Sequence, residues 1–163
     1  MPMTMRAPCG LPEIVALYGE PDQFLRDDGT PSPFWELRMV KVEMPGPLPL
    51  GWRPETIVRT CRVNEAISDE VDEVFAALRK TGAWDYIHTF DGGYCWRPKR
   101  NGSQKLSMHG YGGALDFNAG SNQLGTLGDM ARAVVEAFEG HGWSWGGRWK
   151  TPDPMHFQFA RGY

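Results

Sequence analysis

The sequence has no long apolar run, little cysteine and no excess of positive charge. Nowhere does it approach the ~18 consecutive apolar residues of a membrane span, so membrane insertion is not expected. The N-terminus, Met1 to Gly10, lacks the apolar core of a secretory signal peptide, and synthesis in the cytosol is the expectation. The three cysteines, Cys9, Cys61 and Cys95, are widely spaced and form no CxxC pair. A zinc knuckle and a thioredoxin-like redox site are thereby excluded, and buried or incidental thiols are expected. Lys plus Arg number 17 against 20 Asp plus Glu, a net charge of -3, which excludes a dedicated nucleic-acid binder. There is no internal repeat and no low-complexity tract. What the chain does have is glycine (20) and proline (13), about a fifth of its 163 residues against a usual ~12%. That share leaves too little uninterrupted chain for an all-helical bundle. The length suits a single domain, and 41% apolar with 23% charged residues fits a folded globular protein.

Periodicity and punctuation predict alternating elements. A short helix is expected over residues 11–18, closed by Gly19, followed by a Pro/Asp/Gly-rich loop over 20–33. Phe34 to Met44 is β-like, and the run from Pro45 to Gly51 should interrupt it, being unfit for a central strand. Residues 57–63 form the next strand candidate. A helix follows, with Ser68 as N-cap, Val71, Val74, Phe75 and Leu78 as its apolar face, and Gly82 as a left-handed stop. Short β-like pieces over 84–97 surround the turn from Asp91 to Gly93. A further helix is expected from about 127 to 139, opened by a Thr126/Asp129 capping box, with Met130, Val134, Ala137 and Phe138 buried. The pattern predicts an α+β fold: a small, mostly antiparallel sheet flanked by two or three helices. Residues 1–163 are read as one domain. Within it, residues 1–50 form an N-terminal extension packed on or around a catalytic core of residues 50–163.

Two segments carry polar residues that a core does not require. Along 114–118, strand alternation sends Leu115 and Phe117 one way and Ala114, Asp116 and Asn118 the other. Along 155–159, Met155, Phe157 and Phe159 share one face, and His156 and Gln158 the opposite one. Paired side by side, the two strands bring Asp116 to His156. His109, separated from Asp116 by a glycine-rich turn, can fold back to the same point. Two imidazoles and a carboxylate are the ligand set of an open zinc site, which polarises a carbonyl and activates water. Asp153, three residues before His156, is available as the base such hydrolysis needs. Spacing alone leaves these residues open. His109 and His156 taken singly fit a hydrogen-bonded structural histidine as well as a ligand, and Asp116 fits a turn or cap.

The run Ser107-x-His109-x-x-Gly112-x-Ala114-x-Asp116 resembles the SxHxxGxAxD signature of the zinc D-alanyl-D-alanine metallopeptidases. These include carboxypeptidases, dipeptidases and the L-alanyl-D-glutamate endopeptidases of phage endolysins. Asp153-x-x-His156 resembles their second motif. The stretch from Trp143 to Trp149, with Asp-Pro-Met-His-Phe after it, is similar to the small endolysin-like branch. The resemblance covers roughly residues 50–160. It implies one zinc per chain held by His109, Asp116 and His156, with Asp153 as general base and Ser107 supporting the site by hydrogen bonding. It also implies an arginine at the oxyanion, for which Arg97 is preferred and Arg100 is the rival. Asp in place of Glu as the base departs from the dipeptidases and many carboxypeptidases, and leans towards the endolysin-like enzymes.

Other features carry blander readings. The basic run from Trp96 to Arg100 suits an acidic peptide or an oxyanion better than nucleic acid. Trp149 is assigned to the cleft rim, while Trp143 and Trp145 are as well explained by packing. Gln158 lines the cleft floor. His88 and His141 are not expected to be ligands. The expected activity is hydrolysis of a peptidoglycan stem-peptide bond, L-Ala–D-Glu in the endolysin-like reading. The alternatives are D-Ala-D-Ala carboxypeptidase action and a non-catalytic phage structural or wall-binding domain. The enzyme is expected to act as a monomer, to be made in the bacterial cytoplasm, and to reach the cell wall after release.

Overall fold

A computed structural model describes residues 5–163; the first four residues of the N-terminal segment lie outside the described residues. The elements run α1 (Gly10–Tyr18), α2 (Pro33–Glu36), β1 (Met39–Leu50), β2 (Arg53–Asn64), α3 (Ser68–Thr81), β3 (Phe90–Gly92), α4 (Met108–Tyr111), β4 (Ala114–Phe117), α5 (Arg132–Gly140), β5 (Ser144–Trp145) and β6 (His156–Gln158). Six strands form one sheet in the order β2-β1-β3-β4-β6-β5. All neighbours are antiparallel except β1 and β3, which meet in parallel at Leu50 and Phe90. The fold is α+β, as the alternation of elements predicts. Among the described residues no helix is long and apolar enough to cross a membrane.

Burial of alternate faces explains the architecture. Val71, Val74, Phe75 and Leu78 put one stripe of α3 in the core, and Gly82 at φ 75° stops the helix. Val134, Val135 and Phe138 do the same for α5, where Phe138 stacks on Phe157 of β6 at 4.1 Å between ring centres. Trp143 is buried edge-on to Phe138 and Phe159. The N-terminal segment joins this core through Ile14, Tyr18 and Trp35, all fully buried. A boundary at residue 50 falls in the turn of the β1–β2 hairpin and separates two paired strands.

Four local expectations need correction. The proline run does not end the strand: β1 continues to Leu50. Its register with β2 shifts between Glu43 and Leu48, so Pro45 and Pro47 sit where the ladder asks for no N–H. Phe34 belongs to α2 and not to a strand. The second long helix starts at Arg132, and there is no Thr126/Asp129 capping box. The Asp129 carboxylate instead accepts from Ser121 Oγ at 2.6 Å and Asn122 Nδ2 at 2.8 Å, while Thr126 Oγ1 donates to the Gln123 carbonyl. Ser68, finally, lies inside α3, its hydroxyl donating to the Glu65 carbonyl.

Candidate metal centre

Each acidic or imidazole side chain arrives on a different element. β4 and β6 pair with Asp116 opposite His156, so both side chains leave the sheet on the face away from Leu115 and Phe157. His109 comes from α4, a single turn. Its N-cap Ser107 accepts from the Gly110 N–H at 3.3 Å, and Gly112 ends it at φ 73°. A Cβ at Gly112 would meet Met39 Sδ at 2.6 Å and the Asn64 nitrogen at 2.7 Å, so the chain can turn from His109 into β4 only with glycine there.

The three side chains are buried and converge. His109 Nε2 lies 3.1 Å from Asp116 Oδ2, His156 Nδ1 lies 3.0 Å from Asp116 Oδ1, and the two nitrogens are 3.1 Å apart. The outer nitrogens are already engaged. His109 Nδ1 donates to the Gly93 carbonyl at 2.8 Å, and His156 Nε2 donates to Gln158 Oε1 at 3.0 Å. The Gln158 amide nitrogen is turned towards the Ala160 carbonyl, which fixes the amide orientation. In the neutral rings the inner nitrogens are therefore lone pairs. Two lone pairs and a carboxylate meeting at one point are three acceptors without a donor, an arrangement that calls for a cation. Zinc bonds of about 2.0–2.1 Å at tetrahedral angles separate ligand atoms by roughly 3.3 Å, so the donor set fits that ion.

The electrostatics follow from burial and from this contact. Burial pushes the Asp116 carboxyl up, but the charges and hydrogen bonds of His109 and His156 outweigh it and hold the group well below the usual carboxylate range. Burial lowers His156, yet the hydrogen bond and charge of Asp116, with help from Gln158, raise it above the ordinary imidazole value. Asp153 is raised, chiefly by burial, with Asp116 pushing the same way against the pull of His156 and Arg100.

These groups border a cavity of about 490 Å³. Asp153 lines it, and its Oδ1 is buried with no hydrogen-bond partner among the described residues. Its backbone N–H donates to Gly146 at 2.9 Å, in a loop held by Trp145 Nε1 on the Pro154 carbonyl. Arg97, Arg100, Ser107, Trp149 and Gln158 also border the cavity. The Trp149 ring lies 5.3 Å from that of His156, centre to centre. Trp143 is in the core, as packing requires. His88 is exposed, and His141 donates through Nδ1 to the Ala137 carbonyl at 2.8 Å, both apart from the cluster. Sequence reasoning missed the Gly93 carbonyl, which lay within what reads as a plain turn. It also missed Lys150, Leu124 and Tyr163 at the cavity edge.

Residues 101–159 match the family model described as D-alanyl-D-alanine carboxypeptidase. The matched span includes Ser107, His109, Asp116, Asp153, His156 and Gln158, and leaves Arg97 and Arg100 outside. No curated protein and no solved structure matches the chain.

Proposed function

We propose that this chain, whose residues 101–159 match the family model described as D-alanyl-D-alanine carboxypeptidase, is a zinc metallopeptidase that cleaves the L-Ala–D-Glu bond of peptidoglycan stem peptides. The observation that carries this reading is the meeting of three acceptors, His109 Nε2, Asp116 and His156 Nδ1, in a cavity that Asp153 also lines. Those three atoms would hold the zinc. A zinc ion there supplies Lewis-acid activation of water and of the scissile carbonyl.

The remaining roles belong to the protein. Asp153 takes the proton of the attacking water and returns it to the leaving nitrogen; burial raises its pKa, which makes its carboxylate a better base. Arg97 is charge-coupled to both Asp116 and Asp153, and it donates to the oxygen that becomes negative as the carbonyl carbon turns tetrahedral. Ser107 and Gln158 hold the two imidazoles in place, through the cap of α4 and through the outer nitrogen of His156. Trp149 forms a wall for the substrate. Asp at position 153, where many carboxypeptidases carry Glu, supports the endopeptidase reading.

The description of the matched family favours a second reading, removal of a terminal D-Ala. Digestion of purified peptidoglycan by the zinc-loaded protein separates them by the mass of the products. New D-Glu amino termini are expected, and free alanine would transfer the assignment to the carboxypeptidase reading. Asp153→Asn should retain zinc and lose hydrolysis by about 10²–10⁴-fold, the usual worth of a general base. Absence of any product from zinc-loaded wild type would leave the non-catalytic alternative.

A further inference from the structure

Between Asp91 and Asp116 the sequence has no carboxylate, yet it carries Arg97, Lys99, Arg100 and Lys105. This concentration of positive charge stands in a chain whose net charge is -3. Residues 97–107 fold back on themselves as a flap: Ser107 N–H donates to the Arg97 carbonyl at 3.0 Å, and Lys99 N–H to the Lys105 carbonyl at 2.9 Å. Gly102, at φ 80°, turns the tip. Arg97, Lys99 and Arg100 border the cavity from this flap, and Lys150 borders it from the loop that carries Trp149 and Asp153.

None of these cations forms an ion pair among the described residues. Lys99 is occupied otherwise, its Nζ lying 3.4 Å from the centre of the Tyr163 ring. Arg97 belongs to the reacting centre in the reading above. Arg100 and Lys150 remain, both exposed. Like charges at the rim of a cavity raise one another's energy and focus a positive potential into it. A bound anion relieves both.

We infer that Arg100 on the flap and Lys150 on the facing loop form a second anion site, which takes a substrate carboxylate other than the one nearest the scissile bond. The inference rests on the peptidase reading and deepens it: the preferred substrate is a peptide with at least one further free carboxylate. Guanidinium and ammonium groups suit this task, since each charge-assisted hydrogen bond to a carboxylate is about twice as strong as a neutral one.

The test uses two synthetic stem peptides that differ only in whether a side-chain carboxylate on the residue after D-Glu is free or amidated. Binding to zinc-loaded Asp153→Asn protein is followed by tryptophan fluorescence. The free acid is expected to bind about tenfold more tightly than the amide. Arg100→Gln and Lys150→Gln should each shrink the preference, the double variant should abolish it, and 0.5 M salt should narrow it. Equal binding of acid and amide, or an undiminished preference in the double variant, overturns the site. Wild-type cleavage of the same peptides is measured in parallel. A binding preference without any cleavage sustains the anion site and counts against the hydrolytic reading alone. Where cleavage occurs, Lys150→Gln should act on KM and leave kcat nearly unchanged.

Discussion

Each imidazole of the site has one nitrogen committed to a neutral acceptor, His109 to the Gly93 carbonyl and His156 to Gln158. These commitments decide which nitrogen each ring offers to a metal. Gly93 cannot be replaced without moving its carbonyl, because a Cβ there would lie 2.6 Å from the Arg62 carbonyl oxygen. Gln158 can be replaced, and is the cleaner test. Gln158→Leu removes the acceptor on His156 Nε2 and allows the other tautomer, whose Nδ1 carries the proton. Zinc affinity is expected to fall about 10–100-fold, the usual cost of losing such a partner. Competition against a chromophoric chelator measures it. Gln158→Glu, which keeps an acceptor, should recover most of the loss. Unchanged affinity in the leucine variant would mean that packing alone fixes the ring.

The element that carries His109 is a single helical turn, far shorter than the ~12–15 residues an isolated helix needs. It persists because Ser107 caps one end, Gly112 closes the other, and Met108 and Tyr111 are buried between. Ser107→Ala should cost about 1 kcal/mol, the ordinary worth of an N-cap, and lower Tm by roughly 2–4 °C. Calorimetry reads the loss. Zinc affinity should weaken a few-fold with it, since His109 sits in the loosened turn. Much of this site is legible in sequence, because strand alternation is local. Asp116 and His156 each stand opposite in phase to the apolar residues beside them, and the β4–β6 register then sets them face to face. Other features depend on contacts that no short window records. Main-chain partners such as the Gly93 carbonyl carry no side-chain signal. The proline run survives in β1 because it lies in extra residues of β1 that have no paired partner on β2, and Asp129 fails as a capping residue because Ser121 and Asn122 claim its carboxylate. Lys150 and Leu124 reach the cavity through loops whose course follows from packing.

Across the whole molecule the N-terminal segment and the site brace each other. Tyr18 donates to the Phe159 carbonyl just past β6 at 2.8 Å, and Trp35 Nε1 donates to the Gly110 carbonyl in α4 at 3.2 Å. The elements that carry His109 and His156 are therefore packed against that segment, and metal binding by these residues should register in global stability. Proton linkage gives this a direction. His156 is raised in the fold, so without metal its contribution is fully present below about pH 6.5 and is lost as pH rises through the raised value. Asp116 is lowered, so its contribution is present above its unfolded value near pH 3.9 and is lost only as pH falls through the lowered one. The metal-free pair thus stabilises most in mildly acid solution. Zinc requires the same His156 nitrogen without its proton, so zinc affinity grows over the range in which the ion pair fades. Thermal unfolding at about pH 6 and about pH 8.5, with zinc and with chelator, tests the linkage. The Tm of the chelated protein should fall as pH rises, and the increment given by zinc should widen, reaching about 2.7 kcal/mol when free zinc is a hundred times Kd. A zinc increment that is flat across this range would show that His156 carries no proton in the metal-free fold.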